Sequence, residues 1–121
     1  MRISLILAGA KKEYFNKSEV LVMTEEKFIS WIFLLVAVAS QFHPADIRGI
    51  TMIADGINHA VPTQKELQTS ISWLTNKGLI LKLAKKYELS KKGKREFGYV
   101  SGKNIGYLKM IEKLEQAFKN I

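Results

Sequence analysis

Residues 63–80 read TQKELQTSISWLTNKGLI, and this stretch specifies a helix together with both of its ends. Thr63 and Glu66 stand at the S/T-x-x-E spacing of a capping box. The threonine hydroxyl accepts from the Glu66 N–H, and the Glu66 carboxylate accepts from the Thr63 N–H. Leu67, Ile71 and Leu74 recur at i, i+4 and i+7, so they form one apolar stripe that must be covered. Gly78 suits the left-handed residue that closes a helix, with Leu79 reaching back to Leu74 as a Schellman ending requires. The spacing therefore predicts a helix over 63–77. Its opposite face carries Gln64, Lys65, Gln68, Thr69 and Ser72, all groups able to form hydrogen bonds. Such a face is either an ordinary solvated surface or one presented to a partner.

Past Gly78 the pattern changes period. Leu81-Lys82-Leu83 and Tyr87-Glu88-Leu89 alternate apolar with polar around Ala84-Lys85-Lys86, which predicts a two-stranded hairpin with a lysine tip. Ser90 then suits the cap of a short helix, KKGKREF, with Gly98 and Gly102 bracketing a loop after it. Residues 107–118 place Tyr107, Ile111, Leu114 and Phe118 at helical spacing. That terminal amphipathic helix needs a surface to cover, either its own core or a second subunit.

Before the central stretch the sequence predicts two more helices. Thr24 can cap, and Glu25 and Glu26 suit the positive end of a helix dipole. The run FISWIFLLVAVAS that follows is apolar almost all round. It is a buried helix too short for a membrane span, with Trp31 and Phe33 expected in the core. In HPADIRGITMIADGINHA, Pro44 is placed at the first helical position and Asp46 in the first turn. Ile47, Ile50, Ile53 and Ile57 give that helix one apolar stripe, ended by Gly56, Asn58 and Pro62. Residues 1–22 are assigned to an N-terminal arm, since the apolar run from Ile3 to Ala10 is too short to span a bilayer. The expected organisation is an arm (1–22), a main domain (23–98) and a C-terminal helix (99–121).

The chain has 121 residues, of which 47% are hydrophobic and 25% charged, and no cysteine. This fits one soluble domain with an arm, and excludes disulfides, thiolate metal sites and a cysteine nucleophile. The net charge of +8 is unevenly spread. Residues 1–61 hold six bases and six acids. Residues 62–95 hold nine bases (Lys65, Lys77, Lys82, Lys85, Lys86, Lys91, Lys92, Lys94 and Arg95) against two acids, and residues 96–121 hold four against three. Nearly all the excess lies in the segment that begins with the central helix. A localised basic field of this kind selects polyanions.

The order helix, helix, helix, hairpin, helix is mainly α with a small β-hairpin, an α+β class. Residues 62–97, PTQKELQTSISWLTNKGLILKLAKKYELSKKGKREF, carry a resemblance to the winged helix-turn-helix domain. They are similar to the segment of MarR-like and PadR-like transcriptional regulators in which L…L…GLI leads into a basic wing. There, LS/T-x-x-G opens the next helix; here this is Leu89-Ser90-Lys91-Lys92-Gly93. The likeness covers about a third of the chain strongly. It departs from the pattern in a short wing carrying only lysines, and in a recognition helix without arginine. The resemblance implies a cytoplasmic regulator that binds double-stranded DNA as a homodimer. The 63–77 helix would enter the major groove with Gln64, Lys65, Gln68, Thr69 and Ser72 facing bases. Lys82, Lys85, Lys86, Lys91, Lys92, Lys94 and Arg95 would contact phosphates. The first apolar helix and the helix bearing Tyr107, Ile111, Leu114 and Phe118 would supply dimer contacts.

No enzyme is expected. Two histidines, no cysteine, no Gly-rich phosphate loop and no G-x-S-x-G leave nothing to assemble a catalytic site. Asp55 and His59 share a helix face at i, i+4 but lack further ligands, so neither a metal nor a cofactor is expected. Trp73 neighbours the buried stripe, and partial burial is expected of it. No effector is assigned. The alternative function is a winged-helix module whose basic face meets an acidic protein, with no specific DNA site.

Overall fold

Nine consecutive residues, 29–37, are buried in the first helix, α1 (Glu25–Ala39), and three other described helices pack around it. A computed structural model describes residues 25–58, 61–102 and 104–121 of the protein. The expected arm, the Thr24 cap and His59 lie outside the described residues. Glu25 and Glu26 occupy the first turn of α1, where their charge complements the exposed N–H groups. Ser30 is buried at no cost in unpaired polarity, because its hydroxyl donates to the Glu26 carbonyl at 2.8 Å. Trp31 and Phe33 are both fully buried, as the apolar run predicts.

The remaining elements are β1 (Ala45–Asp46), α2 (Ile47–Asn58), α3 (Gln64–Asn76), β2 (Ile80–Leu83), β3 (Lys86–Leu89), α4 (Lys91–Val100) and α5 (Tyr107–Lys119). The architecture is mainly helical with a small antiparallel sheet, in agreement with the α+β class. The sheet has three strands in the order β1-β3-β2, one more than the predicted hairpin. Ala45 pairs with Tyr87 and Asp46 with Lys86, so β1 lines the far edge of β3. Pro44 and Asp46 are therefore not inside a helix. Asp46 ends the strand and accepts the Gly49 N–H at 2.8 Å, which caps α2 one residue before it starts. Ile50 and Ala54 of α2 are fully buried and Ile47 and Ile53 half-buried, which is the predicted stripe.

Two other boundaries differ from expectation. Lys86 belongs to β3, so the hairpin turn is only Ala84 and Lys85, with Ala84 at φ 60°. The helix α4 runs through Gly98 to Val100. An exposed glycine weakens a helix by only about 1 kcal/mol, and Val100, two residues on, is buried in the core.

α5 lies along α1, and this is the most extensive packing among the described residues. Phe33 and Phe118 meet edge to face at 5.3 Å between ring centres. Ile111, Leu114 and Phe118 are buried in the same cluster as the α1 side chains. Glu115, also buried, stands 3.8 Å from Lys27 of α1 and 3.9 Å from Lys119, so an ionic contact joins the two helices beside the apolar seam. No helix among the described residues is long and apolar enough to cross a membrane.

Candidate functional site

The site begins with α3, whose ends are built as the sequence specifies. The Thr63 N–H donates to Glu66 Oε1 at 2.8 Å, and the Glu66 N–H donates to Thr63 Oγ1 at 3.1 Å. At the other end Gly78 takes φ +76°. Its N–H donates to the Thr75 carbonyl at 3.0 Å, and the Leu79 N–H donates to the Leu74 carbonyl at 2.9 Å. These are the two hydrogen bonds of the Schellman motif. Leu67, Ile71 and Leu74 are buried, together with Ser70.

With that stripe fixed inward, Gln64, Lys65, Gln68, Thr69 and Ser72 are all exposed. At 100° per residue they cover an arc of about 140°. Thr75 and Asn76 are exposed on the same arc and extend it toward the C-terminus. Neither was among the residues expected on this face, although the 3.6 period carries it one further turn. Trp73 flanks the arc. It is half-buried, with its ring 5.7 Å from that of Phe118 and the Lys77 ammonium 5.6 Å above it. Its surroundings are therefore the α5 seam on one side and a cation on the other.

The lysines do not form one uniform patch. Strand alternation places Lys82 on the side of the sheet that carries buried Ile80, Tyr87 and Leu89, and Lys86 on the opposite side. Both are exposed, as is Lys85 at the turn between them. The hairpin thus carries cations on both faces and at its tip. Its outer face also bears Leu81 and Leu83, each 45% exposed. The alternation was readable in the sequence; which side the core would take was not.

α4 is fastened to the end of α3. The Ser90 N–H donates to the Leu79 carbonyl at 3.1 Å, and the Ser90 hydroxyl donates to the Gly78 carbonyl while accepting the Gly93 N–H at 3.0 Å. A side chain at Gly93 would place its Cβ 2.0 Å from the Leu79 carbonyl oxygen, so only glycine lets the two elements approach this closely. Lys92 donates to the Lys77 carbonyl at 3.2 Å, closing the C-terminal end of α3. Its ammonium already serves the fold. Lys91, Lys94 and Arg95 are exposed.

Three of the four residues expected at a dimer seam are used within the chain. Ile111, Leu114 and Phe118 are buried within the chain, and Tyr107 is half-buried, which pushes its phenol above the ordinary tyrosine range by desolvation. The apolar side chains of residues 29–37 in α1 are likewise covered by the chain's own helices. Asp55 is exposed, and among the described residues no cluster of three His, Asp or Glu side chains is placed to hold a metal ion. Comparison with protein-family models, with curated proteins and with solved structures finds no match for this chain.

Proposed function

We propose that the protein is a DNA-binding regulator of winged-helix type, with α3 in the major groove and the β2–β3 hairpin as the wing on the phosphate backbone. The observation that carries this reading is the exposure of Gln64, Lys65, Gln68, Thr69 and Ser72 together, on a helix that opens the one strongly basic segment of the chain. The element order supports it as well: a helix, a short strand, two helices and a hairpin, with the short strand on the outer edge of the second hairpin strand. Lys82, Lys85, Lys86, Lys91, Lys94 and Arg95 are the exposed cations for phosphates. If all six engage, log K falls with log salt at a slope of about −5. Cytoplasmic location and action as a homodimer on two half-sites belong to the same proposal. With Ile111, Leu114 and Phe118 committed to the core, a second copy would meet other side chains.

Fluorescence anisotropy with mixed-sequence duplex DNA at low salt tests the reading. Tight, salt-sensitive binding that is lost in the double variant Lys85→Glu/Lys86→Glu is the expected result. Absence of binding, or binding indifferent to the double variant, overturns it. Sedimentation of the free protein and of the complex counts the copies.

The exposed Leu81 and Leu83 favour a second reading, a protein-interaction module whose basic hairpin meets an acidic partner. Exposed paired leucines add nothing to phosphate contact and add apolar area to a protein contact. Under this reading duplex DNA does not bind, or binds without dependence on α3.

A further inference from the structure

The polar face of α3 has a chemical bias that its exposure makes usable. Gln64, Gln68, Ser72 and Thr75 follow one another at spacings of four, four and three residues. They therefore form a ridge only about 80° wide along the outer side of the helix. Among the described residues, the side chains of Gln64, Gln68 and Ser72 have no hydrogen-bond partner in the protein, and all three are exposed. Both glutamine amides thus present an unspent donor and acceptor side by side. Thr75 differs: its hydroxyl donates to the Ile71 carbonyl at 2.7 Å, which leaves its methyl as the group an outside partner meets. Arginine, the best-shaped partner of guanine, is absent from α3, and Lys65 sits to the side of the ridge, about 100° from Gln64.

We infer that this ridge prefers A·T base pairs in the major groove, with Gln64 and Gln68 as the residues that set the preference. The inference rests on the proposed insertion of α3 into a duplex. Adenine presents N7 as acceptor and its N6 amino group as donor on the major-groove edge, and a glutamine amide matches both at once. Thymine presents a methyl group, which the Thr75 methyl meets as an apolar contact. Guanine presents two acceptors, and a glutamine amide satisfies them poorly because its carbonyl then faces O6 or N7. Gln64 is the first residue of α3 and Gln68 lies one turn on, about 6 Å along the axis. Base-pair steps of 3.4 Å make this about two steps, so the two glutamines address adenines roughly two base pairs apart. The hairpin lysines supply affinity without altering the preference.

The test uses the full 121-residue chain and a duplex library with a random core of about ten base pairs between fixed flanks. Bound duplexes are recovered and sequenced. Adenine or thymine should be enriched at two or more core positions, by about tenfold or more in relative affinity over G·C at each. In Gln68→Ala one enriched position should flatten, with the thermal midpoint unchanged because the side chain is exposed. Replacing the enriched adenines by 7-deazaadenine removes the N7 acceptor and should abolish the same advantage. Retention of the advantage on 7-deazaadenine, enrichment of G·C, or duplex binding without enrichment overturns the inference and leaves DNA binding intact. Failure to retain any duplex overturns the DNA reading itself.

Discussion

α3 and α5 are the same length, 13 residues, and both bury one apolar stripe against α1, yet their outer faces are finished differently. On α5 exposed lysines meet carboxylates of their own helix, one exposed and one buried. Lys109 stands 3.9 Å from Glu112, and Lys119 stands 3.9 Å from Glu115. On α3 the outward groups are amides and hydroxyls with one lysine, and the charges that surround them are nearly all of one sign. A face whose charges are neutralised within the helix asks little of a partner. A face that leaves its hydrogen-bonding groups unspent inside a basic field is suited to one. The ends differ too: α3 has a complete capping box, whereas α5 starts at Gly106 with no side-chain cap.

The strongest way to break the comparison is to attack the stripes, which should behave alike. Leu74→Ala in α3 and Leu114→Ala in α5 each remove a fully buried side chain and should each cost about 2–5 kcal/mol in urea unfolding. If Leu114→Ala costs far less, α5 is not an integral part of the core. Next come the caps. Thr63→Ala deletes the hydroxyl that accepts the Glu66 N–H and should lower stability by about 1 kcal/mol. The converse change, Gly106→Ser, adds the cap that α5 lacks and should raise the thermal midpoint slightly, by a few tenths of a kcal/mol in stability. The smallest effect belongs to the outer face of α5. Lys109→Ala breaks an exposed i, i+3 pair and should change stability by about 0.3 kcal/mol, with the difference vanishing in high salt.

How much of this was legible depended on how local each cause is. The whole of α3 was readable because the capping box, the stripe and the Schellman glycine act within one turn of the residues they fix. β1 was not. Two residues are too few to show alternation, and Ala45 and Asp46 become a strand only because Tyr87 and Lys86, some forty positions away, lie beside them. Gly98 looked like a stop because the sequence does not disclose that Val100 has a pocket to fill. The stripe of Tyr107, Ile111, Leu114 and Phe118 was visible, but an apolar stripe does not name what covers it, and Phe33 and its neighbours on α1 took that place. At the candidate site the outward face of α3 followed directly from its inward one. The use of Lys92 to close α3 did not, since a lysine in a run of lysines carries no mark of the carbonyl it will meet.

The junction at Gly93 has a mechanical consequence. Leu79, Ser90 and Gly93 bring the end of α3, the start of β2 and the start of α4 to one point, where backbone passes backbone with no room for a methyl group. A joint that tight does not swivel. The outer ridge of α3, the hairpin cations and the cations of α4 are carried on one stiff bracket, so their spacings are set before any partner arrives. A preorganised array of this kind loses little conformational entropy on association, and it also rejects surfaces whose charges are spaced otherwise.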